Sequence, residues 1–474
     1  MAPWQRPTRA FVAVPAVPLW WVLMLAASVR ALYAWGAWRA WGDASVFYGL
    51  DSESYVAPAR ELLAHGTFTV NGLPELQRTP GYSVMLLPGL WLGHLELTTV
   101  TLQILLATLT VLGVYRLASR FSDDSRVAVA AAALYAFEPL SIVFSTEIRP
   151  ETLFTATVVW ALVLVVDYLR APARAAWRVI AGTAILAASA YVRPVAYYLP
   201  FALVVVLAGL MVVHRAWREL PRLAAAAALA FAVVLPWQVR NRTSGFDGFA
   251  AVEAINLYFY NAGAIRAAQT GTPVGQMRVD MGYSNQERYL ELHPEQRQWR
   301  HGERFEFMRT EGLRIIQENP GVYARLHLSG MMRVLLDPGA TDMLKPYRLY
   351  PREGGMLDRI ATEGMVAGLR HLFAQQPLAA AVFIGTGLAL VLVYGLALRG
   401  TIVGVRARDP AIAVLVICIA YFVTVAGGPA AVGRFRHPAM PLICVLAAIG
   451  LLSLGSERDR ASATAAEPRR SAPR

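Results

Sequence analysis

Residues 151–178 read ETLFTATVVWALVLVVDYLRAPARAAWR. The run over 152–169 is almost wholly apolar, and Arg170, Arg174 and Arg178 crowd its far end. A helix needs about 20 apolar residues to cross a bilayer, and arginine in short loops marks the cytoplasmic side of such a span. The same signature recurs along the 474 residues. Apolar runs fall at about 11–33, 97–115, 127–145, 152–169, 179–192, 196–213, 223–239, 378–398, 411–427 and 438–455. The fold class this implies is all-α, a polytopic bundle of about ten transmembrane helices.

Composition agrees. The chain is 56% hydrophobic and 16% charged, with a mean hydropathy of +0.43. Soluble domains sit near about 45–50% and 25%. A soluble enzyme, a disordered chain and a disulfide scaffold are excluded, and the runs are too long for the ~10-residue alternating strands of an outer-membrane barrel. The net charge of +12 does not point to nucleic acid, because most arginines sit in loops between spans. Of 44 basic residues one, Lys345, is lysine, the bias of a GC-rich bacterial genome. Cys418 and Cys444 lie inside apolar runs, without metal-ligand spacing, and read as packing residues. The first run follows Arg6 and Arg9, shows no small-residue cleavage site, and reads as a retained helix.

With ten spans, the arginines at 116–126, 170–178, 215–222, 399–408 and 458–474 fall on the side of Arg6 and Arg9. The other side then holds two polar segments, 34–96 and 240–377. The first contains a short apolar run, 82–95, which either lies along the interface or belongs to a helix pair. In the second, 303–318 and the amphipathic 321–336 read as external juxtamembrane helices, since structureless loops beyond about 12–15 residues are uncommon. The chain divides into an amino-terminal core (1–239), the external region (240–377), carboxy-terminal spans (378–455) and a cytoplasmic tail (456–474), whose Ala, Ser, Pro and Arg content predicts disorder.

Three groups of residues on the outer side could carry chemistry. Asp51 and Glu53 precede a helical stripe at Tyr55, Ala59, Leu62 and Leu63, with Ser54 as candidate cap. They are either cleft carboxylates or solvated loop residues. Glu147 and Glu151 flank Arg149 and Pro150 at a span end. Glu151 also fits an ordinary site at a helix amino terminus. Arg193, Arg240, Arg242, Arg434 and Arg436 oppose the usual charge bias. Guanidinium forks at that depth suit a lipid phosphate, or anchor at the interface. Glu138 and Asp167 lie deeper, where a carboxylate is a functional candidate. A Walker loop, HExxH, GxSxG and a strand-borne GxGxxG are missing from the sequence, so ATP, a zinc hydrolase site and a bound dinucleotide lack support.

Taken in order, Asp51-x-Glu53-x-Tyr55, then ArgGluLeuLeu at 60–63, Gly66, Arg78-Thr79-Pro80-Gly81-Tyr82, the Glu147–Glu151 turn, TyrValArgPro at 191–194 and ProTrp…ArgAsn at 236–241 resemble the GT-C glycosyltransferases, nearest the protein mannosyltransferase and aminoarabinose transferase relatives. The likeness covers about 40–245, with an echo at 434–441. It implies inverting transfer of a sugar from a polyprenyl-phosphate donor to a hydroxyl of a lipid, glycan or protein acceptor. The active site would face the periplasm or exterior of a bacterial plasma membrane. By motif, Asp51 is the catalytic base, and Glu151, with Glu147 as rival, orients the acceptor or binds a divalent metal ion. Arg193, Arg240 and Arg434 are candidates for the donor phosphate, and Glu53, Tyr55, Arg78 and Tyr82 for the substrate. The rivals are a transporter or flippase coupled through Glu138 and Asp167, and a lipid-diphosphate-dependent glycan polymerase or ligase.

Overall fold

Proline and charge decide where the apolar runs become helices. The computed structural model describes residues 18–171, 176–351 and 365–466. Helix α1 (Leu19–Trp41) begins behind Pro18 and stops at Gly42, whose φ of 81° suits glycine. The span predicted at 11–33 therefore lies further along the chain; Arg6, Arg9 and the start of that run fall outside the described residues. Next come α2 (Glu53–His65), a two-stranded antiparallel hairpin of β1 (Thr69–Val70) and β2 (Leu73–Pro74), α3 (Pro80–Trp91) and α4 (Leu95–Ala118). The run at 82–95 is thus mostly α3, whose 12 residues reach only about 18 Å.

The span predicted over 127–145 is broken. Helix α5 (Ser125–Ala136) ends, and α6 (Pro139–Phe144) restarts with Glu138 as its cap, accepting the Ser141 N–H at 2.5 Å. Pro139 cannot continue the ladder of α5. Glu138 is therefore a cap. Helices α7 (Glu151–Arg170), α8 (Ala176–Ser189), α9 (Leu199–Val213) and α10 (Leu220–Thr243) follow.

The stretch after α10 carries short helices α11 (Val252–Ile255), α12 (Gly263–Thr270), α13 (Val274–Asp280) and α14 (Gln286–Leu292), with a π-helical turn over Asn256–Ala262. Helix α15 (His301–Glu318) packs on them over a small core that includes Phe246, Tyr258, Tyr289 and Met308. Helix α16 (Pro320–Leu336) exposes Leu328, Met332 and Leu336, four residues apart on one face. Both segments predicted as helices, 303–318 and 321–336, are helical. The chain closes with α17 (Ala340–Leu344), α18 (Met365–Gln375), α19 (Pro377–Arg406), α20 (Pro410–Val425) and α21 (Met440–Ala466). The last helix runs past the predicted start of the disordered tail, because alanine, glutamate and arginine there are strong helix formers; residues 467–474 lie outside the described residues.

Among the described residues, seven helices are long and apolar enough to cross a membrane, and α5, α8 and α20 are shorter apolar helices. Together they fall on the ten predicted spans. Helix α7 lies in the interior, flanked by α4 and α8. At its Arg170 end, ion pairs gather the arginine-rich connections. Asp167 meets Arg120 at 2.6 Å and Arg178 at 3.4 Å, Arg170 meets Asp409 at 2.7 Å, and Tyr168 donates to Glu219 at 2.8 Å. Glu151 begins the same helix at the opposite end, about 30 Å away.

Helices α19 and α21 touch through glycines. A β-carbon on Gly400 would strike the Leu446 carbonyl, and one on Gly450 the Leu396 carbonyl. Small residues allow such backbone approach in membranes. Gly400→Leu is expected to force these helices apart and lower the thermal unfolding midpoint in detergent, at a cost of about 1–3 kcal/mol or more. A midpoint equal to the parent protein would contradict this packing.

Candidate active site

Two loops and three helix starts meet at the Glu151 end. In the first loop, Ser52 is the residue ahead of α2. Its Oγ accepts the Gly49 N–H and donates to the Ile148 carbonyl, both at 2.8 Å, while the Ile148 N–H donates to Phe47 O at 2.8 Å. Residues 47–52 are thereby stitched to the turn before α7. Ser54 is not the cap; its hydroxyl donates to the Asp51 carbonyl at 2.6 Å. Asp51 is left at the loop's end.

Arg78 comes from the second loop. Glu75 folds that loop by accepting the N–H groups of Gln77 at 2.5 Å and Arg78 at 2.8 Å. Thr79 is extended, as a residue before proline prefers, and Pro80 opens α3. Gly81 lies against the Tyr191 carbonyl, to which its N–H donates at 2.7 Å; a β-carbon there would collide with it. Arg78 consequently lies over the Tyr55 ring, 4.7 Å from its centroid, and donates to Ser54 Oγ at 3.0 Å, Tyr55 Oη at 3.2 Å and Asp51 Oδ1 at 3.3 Å.

Arg434 is the centre of the arrangement. It sits on the 3₁₀ turn Gly433–Ala439 that leads into α21. Its Nη1 donates to Asp51 Oδ2 at 2.7 Å, and its Nε donates to Glu151 Oε1. Arg193, extended before Pro194, brings Nη1 to 3.4 Å from the same Glu151 oxygen. That nitrogen is buried and makes no hydrogen bond beyond this ion pair. Arg149 pairs with Glu147 at 3.0 Å, and Gly49 gives it room that a side chain would fill. Four guanidinium groups thus face three carboxylates, leaving one positive charge over. The Glu151 side chain is 0% exposed and the Asp51 side chain 32%, so Asp51 is the carboxylate a solute can reach.

The electrostatics follow. Burial pushes the Asp51 carboxyl up, but Arg434 and Arg78 outweigh it and hold it at about 2. Burial pushes the Glu147 carboxyl up, against the pull of Arg149. Burial likewise raises the Tyr55 hydroxyl.

Of the residues singled out in the sequence, the structure brings Asp51, Arg78, Glu151, Arg193 and Arg434 together. Tyr55 and Tyr82 are fully buried beneath them, edge to face at 5.2 Å, with Tyr82 donating to Gln103 at 2.8 Å. They form the floor of the site. Glu53 turns outward and pairs with Arg60 at 2.5 Å. Arg240 is not brought to the cluster: its guanidinium donates to the carbonyls of Glu75 at 2.5 Å and Phe68 at 2.8 Å and lies over Trp237. It braces the second loop. Arg149 and Ser52 were missed; Arg149, between two glutamates, was the legible one. Among the described residues, no group of three or more His, Cys, Asp or Glu side chains is placed to hold a metal ion.

Residues 80–239, from α3 to near the end of α10, match the family described as dolichyl-phosphate-mannose-protein mannosyltransferase. The match covers 160 of the 474 residues. That segment includes Tyr82, Glu147, Glu151 and Arg193 and stops short of Asp51 and Arg434. The crystal structure of the Archaeoglobus fulgidus oligosaccharyltransferase complex with Zn and sulfate is similar over 93% of this chain and 49% of that one, at a TM-score of 0.51 and 15% identity. The chain therefore has this fold, and spans about half the length of that protein. ArnT from Cupriavidus metallidurans bound to undecaprenyl phosphate is similar at a TM-score of 0.39 and 16% identity, over 94% of this chain and 80% of that one. No curated protein matches the chain.

Two outcomes are expected. Arg434→Ala leaves two carboxylates without their shared cation and should destabilise the fold by roughly 3–5 kcal/mol, read as a loss of thermal midpoint in detergent. An unchanged midpoint would contradict the bridge. Because the Asp51 carboxyl lies below its ordinary value of 3.8, its pairing contributes stability that is complete above that pH and is lost as pH falls toward about 2. Asp51→Asn should flatten stability across that window; an acid transition as steep as the parent's would speak against the pairing.

Proposed function

We propose that the chain is an integral-membrane glycosyltransferase that moves a sugar from a polyprenyl-phosphate donor to an acceptor hydroxyl, with inversion, on the non-cytoplasmic face of a bacterial plasma membrane. The observation that carries this reading is the Arg434 bridge between Asp51 and Glu151, with Arg193 beside it on the same Glu151 oxygen. It is supported by the match of residues 80–239 to a family whose description names a polyprenyl-phosphate sugar. The arginine-rich connections at the far end of α7 favour the sidedness.

In the reaction, the acceptor oxygen attacks the anomeric carbon as Asp51 takes its proton. The bond from that carbon to the donor phosphate breaks, and the electron pair leaves with the phosphate. Arg193 and Arg434 stabilise the growing negative charge. A carboxylate held at about 2 is a weak base. The cation that holds it there is also the one a phosphate would compete for. Donor binding draws on Arg434, relieves Asp51 of part of its positive partner, and so raises its basicity when a sugar is in place. Glu151, paired with both arginines, holds them ready for the phosphate. Arg240 has no direct part, its donors being taken by loop carbonyls.

A transporter coupled through Glu138 and Asp167 is less well supported, because the first caps α6 and the second is paired with two arginines.

Incubation of the purified protein with a panel of radiolabelled polyprenyl-phosphate and polyprenyl-diphosphate sugars, with and without a chelator, is expected to consume one monophosphate donor. Asp51→Asn should abolish that transfer, by about 10²-fold or more, in a protein that still folds and inserts. Residual activity near the parent's would remove Asp51 as the base. Consumption of a diphosphate-linked donor alone would favour the polymerase or ligase reading. Arg193→Ala should weaken donor affinity more than acceptor affinity; unchanged donor affinity would remove Arg193 from the phosphate site.

A further inference from the structure

The backbone that carries Arg434 is held from outside the membrane-spanning bundle. Helix α16 lies along residues 427–433. Gly330 approaches Gly428 so closely that a β-carbon would strike its main chain, the Gly428 N–H donates to the His327 carbonyl at 3.3 Å, and Arg333 donates to the Gly428 carbonyl at 3.3 Å. The contact tightens at the end of α16. Asp337 accepts the Gly339 N–H on Oδ1 at 2.9 Å, closing its own turn, and this leaves Oδ2 free for a distant partner. That partner is the Gly433 N–H, at 3.1 Å. Gly433 has no room for a β-carbon, which would sit 2.7 Å from the same oxygen. On the other flank of Arg434, Arg436 donates to the carbonyls of Val334 and Asp337, each at 2.7 Å. Arg434 is thus bracketed by two contacts to the end of α16.

We propose that Asp337 is a positioning residue: its carboxylate fixes Gly433, and through it the Arg434 guanidinium, in the register that serves the donor phosphate. This rests on the reading of Arg434 as a phosphate contact. The hydrogen bond is charge-assisted and so stronger than a neutral one. The external region therefore sets the geometry of the site from a residue that does not touch substrate.

A double-mutant cycle tests this, with undecaprenyl phosphate as the probe and the full chain in nanodiscs. Asp337→Ala should weaken binding by about tenfold, the scale of a hydrogen bond to a charged group. In the Arg434→Ala background the same change should do nothing further, because the group it positions is gone. A merely structural role would instead give losses that multiply. Asp337→Asn, which keeps one acceptor oxygen, should fall between the parent and Asp337→Ala, and supplies the cycle if the alanine variant does not fold. Parent-like binding by the Asp337 variants, or multiplying losses, overturns the proposal while leaving the site reading intact. Parent-like binding by Arg434→Ala overturns the site reading itself.

Discussion

One guanidinium shared by two carboxylates holds the site together. Burying Glu151 as an ion costs several kcal/mol unless it is paired, and its pairing comes from Arg434 and Arg193. Arg434 reaches Asp51 with the same fork. A lysine, with one compact charge, could not span both in this way. Three stretches far apart in sequence must converge for the pairs to form: the loop before α2, the start of α7, and the turn into α21. The glycines at 49, 81 and 433 mark where an arginine, a backbone carbonyl and an aspartate come too close for a side chain.

The second organising feature is the polarity of α7. One end is held by Asp167 among arginines and the other by Glu151 among arginines. Only the second set includes a carboxylate at the edge of solvent, Asp51. Charge pairs thus do different work at the two ends. At the Arg170 end they gather short connections, and at the Glu151 end they build a cluster with cationic capacity to spare.

The bundle was legible because apolar length is a one-dimensional signal. The errors fell where a single residue overrides it. Pro18 moves the first helix, and Pro139 with Glu138 splits the third predicted span. The site was legible in part. Asp51, Arg78, Glu147 and Glu151 lie in short motifs with turn signals. Arg240 and Arg434 look alike in sequence, both basic residues at span ends, yet one braces carbonyls of a loop and the other bridges two acids. The difference lies in partners more than a hundred residues away, which no local pattern records. Asp337 escaped for the same reason: Asp-Pro-Gly at 337–339 reads as a turn, and the contact to Gly433 exists only in the fold.

The account depends on the Asp51–Arg434–Glu151 cluster facing the non-cytoplasmic side of the membrane. The native cysteines, Cys418 and Cys444, are buried, so Asp51→Cys provides a single accessible thiol for a membrane-impermeant maleimide in sealed vesicles of known orientation. Labelling from the non-cytoplasmic face alone, slowed by undecaprenyl phosphate, is the predicted result. Labelling from the cytoplasmic face would contradict the account.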